Sequence, residues 1–191
     1  MKRFIILLAL SLCALSAAAQ SQLIMKTQDA QAGLKTLLTS ETIVRNGFAD
    51  RHPLKVAVLA VQTPDWKYSL QVAVSETVSR AVPKSGVILI RTKSGQIYEL
   101  VNTLEESQSR DYVGKWIEGT AIKTYENRAS YAVTREQLED IAAGVLKIRM
   151  QLSDGAFDTE YKKEKFGEAV QMHLSVIDAE ISAGSDLRQG F

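Results

Sequence analysis

The chain has few of the residues that most enzymes and metal proteins use. Of its 191 residues, one is cysteine (Cys13), two are histidine (His52 and His173) and three are proline. Cys13 lies in an N-terminal apolar run, so the body of the chain has no thiolate. That excludes a Cys-ligated zinc site, a cysteine nucleophile and a structural disulfide. Phosphate-cradling glycine patterns are missing, as are G-x-S-x-G, H-E-x-x-H and S-x-x-K. Neither sign of charge is in excess, with 23 basic against 22 acidic residues. A balanced, interspersed charge argues against a nucleic-acid partner and against a strongly electrostatic membrane partner. Asn46, Asn102 and Asn127 all lack a glycosylation sequon.

The N-terminus reads as an export signal. Lys2 and Arg3 precede an apolar run that begins Phe4-Ile5-Ile6-Leu7-Leu8, and Ala17-Ala18-Ala19 offers an A-x-A cleavage site. The run is short of the ~20 residues that cross a bilayer. Residues 1–19 are expected to be a cleaved signal peptide, leaving no stable membrane span. Cys13 is misplaced for lipid anchoring. The mature protein is expected to be periplasmic or extracellular. Its length of about 172 residues suits one domain that buries roughly 70% of its unfolded surface. Expected boundaries are a loosely ordered arm at 20–33, a single domain at 34–184 and a frayed tail at 185–191.

Val87–Val101 is the clearest local signal. Two β-branched runs flank Lys93-Ser94-Gly95, which fits a type I turn closed by a G1 bulge with glycine at positive φ. The register sets Ile90 against Tyr98 and Ile88 against Leu100. Lys55–Val61 is apolar throughout and reads as a central strand. Thr63-Pro64-Asp65-Trp66 turns it into the alternation Tyr68, Leu70, Val72, Val74. Short strands are expected near 36–39 and 42–45. An exposed loop is expected at 102–112, and a strand at 120–125 that turns at Glu126-Asn127-Arg128 into 130–133. Thr134-Arg135-Glu136-Gln137 is a capping box that opens a helix at about 134–143, with Gly144 after its end. Ile148, Met150 and Leu152 share one face of a further strand. Ser153-Asp154-Gly155 turns into an extended 157–161 segment. Phe166, Val170, Leu174, Ile177 and Ile181 form the apolar stripe of an amphipathic helix at about 163–182. The fold class that follows is α+β: a mostly antiparallel β-sheet or sandwich carrying these two helices.

Pro83-Lys84-Ser85-Gly86 ahead of Leu89-Ile90, the Lys93-Ser94-Gly95 tip, Tyr131–Leu138 and Gly144–Arg149 together resemble a pattern in small exported proteins of Bacteroides-type bacteria. The resemblance spans about 70 residues. It implies export and a β-rich shape. No activity is assigned to that group, so it implies no site residues.

Candidate chemistry is sparse. His52, in Asp50-Arg51-His52-Pro53, could be an oriented base, although a loop histidine of this kind is more commonly just exposed. His173 flanks the apolar stripe, where a histidine is usually a packed neighbour. Asp154, Asp158 and Glu160 could offer oxygen ligands to calcium, but the EF-hand spacing is missing. Glu105-Glu106 and Glu139-Asp140 are neighbours in sequence, which does not make carboxylates converge on a substrate. Lys162-Lys163-Glu164-Lys165 reads as a solvated helix start. Trp66, beside Asp65 after the Pro64 turn, and Trp116, in Gly114-Lys115-Trp116-Ile117, could stack on a sugar or anchor a partner, although loop aromatics of this kind more commonly fold back on the core. Asp65, Trp66 and Trp116 are the candidate ligand-binding residues, with Trp66 expected to be at least partly exposed. Neither a metal nor a cofactor is expected. The reading that follows is an exported non-enzymatic module binding a partner protein or surface glycan. The alternatives are a hydrolase using carboxylates or an isolated histidine, and a structural component of an envelope assembly joined through a strand edge.

Overall fold

Side-chain alternation and a few turn residues organise the molecule, a computed structural model of which describes residues 23–29, 34–45, 53–78, 80–105, 108–117, 119–161, 163 and 165–186. The expected signal segment, the 20–22 and 30–33 parts of the arm, His52, Glu106, Lys162, Glu164 and residues 187–191 lie outside the described residues. In chain order the elements are β1 (Leu23–Asp29), β2 (Leu34–Thr39), β3 (Thr42–Val44), β4 (Leu54–Thr63), β5 (Asp65–Glu76), β6 (Val87–Thr92), β7 (Ile97–Val101), β8 (Gln108–Ile117), β9 (Thr120–Val133), α1 (Arg135–Ala143), β10 (Val145–Leu152), β11 (Gly155–Glu160) and α2 (Phe166–Asp186). The fold is α+β and its strand pairs are antiparallel.

One sheet runs β1-β2-β4-β5-β9-β8 with β3 also on β4; the other runs β11-β10-β6-β7. Asn102 ties them together. It bridges to Tyr131 of β9 just after β7 ends. Its Oδ1 accepts from the Ser130 and Leu104 amides, and its Nδ2 donates to the Pro83 carbonyl at 3.1 Å. These bonds satisfy a buried side chain at a point where the two sheets could otherwise separate.

The core lies between the sheets and the helices. Leu54, Val56, Val58 and Ala60 of β4 share it with Leu70, Val72 and Val74 of β5 and Ala129, Tyr131 and Val133 of β9. The α2 stripe covers them, with Phe166, Val170, Leu174 and Ile177 buried. Ile88, Ile90, Ile148, Met150 and Leu152 come from the second sheet. The β6–β7 hairpin has the expected register, Ile90 against Tyr98 and Ile88 against Leu100. The Gly95 amide donates to the Thr92 carbonyl at 3.1 Å, and Gly95 has φ +92°. Thr134 caps α1 through the full capping box, and Gly144 follows at φ +141°. Asp140 of α1 accepts from the hydroxyls of Thr92, Ser94 and Tyr98 at 2.9–3.0 Å, docking the hairpin tip onto the helix.

Several expectations are corrected. Leu23–Asp29 of the expected loose arm is an edge strand paired with β2. The expected 102–112 loop becomes strand from Gln108 onward. Glu126-Asn127-Arg128 is not a turn: β9 runs unbroken for 14 residues through it. Its two charged residues are held by partners distant in sequence, while both polar atoms of the Asn127 side chain are buried without a partner among the described residues. Glu126 and Arg128 pair with each other, with Lys55 and with Glu41 on one face, while Asn127 turns to the other and is fully buried. The last helix starts at Phe166 rather than near 163, and it passes Gly184 to end at Asp186.

Candidate functional site

Unequal strand lengths create a cleft. The first β5–β9 pair is Tyr68 with Val133, so Asp65, Trp66 and Lys67 extend beyond the end of β9. There the chain leaves the sheet at Thr134 and enters α1. The overhang and the first turn of α1 enclose a cleft of about 510 Å³, lined by Trp66, Lys67, Tyr68, Thr134, Arg135 and Gln137 among others. Pro64 alone separates the paired Thr63 and Asp65, so Trp66 is not at the hairpin tip but inside the strand, opposite Gln62. Positions two apart on a strand share a face, so Trp66 and Tyr68 stand side by side. Both are half-buried and pack against the edge of the core.

Cations hold these rings. Lys35 Nζ lies 5.7 Å from the Trp66 ring centroid, and the Arg135 guanidinium carbon lies 5.8 Å from that of Tyr68. Arg135 is itself fixed, donating to both Asp178 oxygens and to Glu139 at 2.8 Å. The Asp178 bonds hold its pKa well above the ordinary arginine value. The cleft thus combines two aromatic rings, each with a cation over one face, and a permanently charged guanidinium held by two carboxylates.

The candidate residues do not all come together. Asp65 is exposed and is not part of the cleft lining. Trp116 stands opposite Ala121, near the far end of β9 from Val133; at ~3.3 Å per residue that is about 40 Å along the strand. His173 is 0% exposed, with Nε2 3.1 Å from the Val56 carbonyl and Nδ1 without a partner among the described residues. Burial lowers its pKa to about 4 despite the Val56 bond. It is a packed core residue with no nitrogen open to a substrate. Asp158 forms a bidentate pair with Arg149, Glu160 pairs with Lys147, and Asp154 lies 3.7 Å from Arg80. Glu139 and Asp140 diverge, one to Arg135 and one to the hairpin hydroxyls. Among the described residues no group of three or more acidic, histidine or cysteine side chains could hold a metal ion.

A second site was not legible in the chain. On the sheet face turned away from the helices, Glu126 is only 1% exposed and is held by Lys55 and Arg128; Arg128 also reaches Glu41. Burial raises the Glu126 pKa, but the Lys55 bond and the Arg128 charge outweigh it and the net shift is downward. Two hollows, of about 120 and 240 Å³, flank this group and share Glu41, Gln71 and Arg128 as walls. Its one signal in the sequence is the alternation Glu126, Arg128, Ser130, which the turn-like composition of the stretch conceals.

Comparison with protein-family models, curated proteins and solved structures finds no match. Among the described residues no helix is long and apolar enough to cross a membrane.

Proposed function

We propose that the chain is an exported, non-enzymatic module that binds a surface glycan in the Trp66–Tyr68 cleft. The observation that carries this is the adjacency of two half-buried aromatic faces and the fixed Arg135 in one cleft. Sugar rings have an apolar C–H face that packs on an aromatic ring and hydroxyls that seek polar groups at its margin. Thr134, Gln137 and Lys67 supply polar groups at that margin. A volume of about 510 Å³ is on the scale of small-ligand sites. A protein partner would need roughly 800 Å² of surface on each side.

A second reading, an envelope partner protein, is favoured by β7. This edge strand exposes Ile97 (63%) and Val101 (46%). Sheet edges are where a further strand can add, and here Glu99 is the charge that stands between the two apolar residues.

The test titrates oligosaccharides released from the producing cell's envelope into the mature protein by calorimetry. Trp66→Ala is expected to weaken binding at least tenfold, and Trp116→Ala to leave it unchanged. Equal binding by Trp66→Ala and the parent protein would overturn the glycan reading. A dimer or complex lost on Ile97→Lys would support the second.

A further inference from the structure

The charged group on the opposite sheet face carries a separate inference. We propose that the two hollows around Glu41 and Arg128 form one site for a small monoanionic carboxylate, which binds by taking the place of Glu41 on Arg128. This site is independent of the aromatic cleft.

Three observations support it. First, the two partners of Arg128 differ in rigidity. Glu126 lies on β9, paired with Ser75 of β5 and Arg110 of β8. Glu41 lies on the two-residue link between β2 and β3, 29% exposed, and reaches Arg128 across 87 positions of sequence. Glu41 can therefore move out while Arg128, Glu126 and Lys55 stay.

Second, the charges select the ligand. With Glu41 in place, Lys55 and Arg128 are balanced by Glu41 and Glu126. With Glu41 out, two cations face one carboxylate, a net charge of +1 that one monoanion neutralises. The group that fits there is the kind that already does: a planar carboxylate meets guanidinium in fixed geometry.

Third, the space and lining suit a short organic acid. The hollows measure about 120 and 240 Å³ and lie on either side of Glu41, Gln71 and Arg128, so withdrawal of Glu41 opens one toward the other. Leu38 and Ala57 line one and Leu104 the other, giving apolar surface for a few carbons. Gln71 offers a neutral amide to both.

The test follows the backbone amide signals of Ala57, Gln71 and Ala129 as sodium propionate is added at constant ionic strength, with sodium chloride as the control titrant. The parent protein is expected to show weak saturable shifts. Glu41→Ala, which removes the competing carboxylate, should bind at least tenfold more tightly. Adding Arg128→Lys or Gln71→Leu to Glu41→Ala should each reverse most of that gain, while Trp66→Ala leaves it intact. Equal propionate affinity in the parent and Glu41→Ala proteins would overturn the proposal. So would shifts that chloride reproduces, or a gain that survives both added substitutions.

Discussion

Both terminal nitrogens of Arg135 meet the Asp178 carboxylate, at 2.6 and 2.8 Å, joining the first turn of α1 to α2. The same guanidinium covers Tyr68, so one residue couples two helices and the cleft wall. Asp178 is 46% exposed, and solvent screens the pair. Arg135→Ala is expected to lower stability by about 1 kcal/mol, the scale of a well-formed surface bridge. Arg135→Lys should recover only part of this, because an ammonium cannot form the two parallel bonds. Urea denaturation of the three proteins checks the order.

Glu126 has more at stake because it is buried. Removing its carboxylate leaves Lys55 and Arg128 facing each other with only Glu41 to balance them. Glu126→Ala is expected to cost about 3–5 kcal/mol, the range for breaking a buried pair from one side. Glu41→Ala, at the exposed end of the same group, should cost less than half as much. Equal losses would show that the group is not anchored on β9.

Two glycines hold backbone conformations that side chains resist to different degrees. At Gly95 a Cβ would meet nothing within 4 Å, so only φ +92° opposes a side chain. Gly95→Val is expected to destabilise by about 1–2 kcal/mol. Gly144 has φ +141°, and a Cβ there would also fall 2.5 Å from the Lys93 side chain. Gly144→Ala should cost more than Gly95→Ala because φ +141° with ψ +144° is close to a region that only glycine adopts, and Lys93→Ala should recover little, since the lysine end can swing away. A melting temperature unchanged by Gly95→Val would show that the turn type is wrong.

His173 makes stability depend on pH. Its folded pKa is about 4, below the ordinary value of 6.5. A depressed folded pKa means that the unfolded chain binds the proton first. The contribution is therefore complete above 6.5 and is lost as pH falls from 6.5 through 4. A shift of this size corresponds to about 3 kcal/mol. His173→Gln is expected to be less stable at pH 7 but to lose less between pH 6.5 and 4.5. Parallel stability curves for the two proteins would contradict this.

Much of the fold was legible because its causes are local. The β6–β7 register follows from a glycine that tolerates positive φ beside matched β-branched runs. The start of α1 follows from a hydroxyl and an amide three residues apart. The α2 stripe and the faces of β5 and β10 follow from simple periods. The cleft is legible only through Trp66, because Tyr68 reads as part of the strand alternation and Arg135 as part of the capping box.

What the sequence by itself determined, then, is the set of turns, caps and amphipathic faces, since these depend on neighbours within a few residues. Tertiary structure alone decided the rest. Glu126-Asn127-Arg128 has turn-like composition, yet it stays extended because Lys55 and Glu41 meet it from 71 and 87 positions away. Leu23–Asp29 becomes an edge strand because β2 offers it a free row of hydrogen bonds. Trp66 and Arg135, 69 positions apart, share a cleft because β5 is longer than β9 at that end. Pairings of this kind exist only once the chain is folded, because no local rule places residues so far apart in sequence within reach of each other.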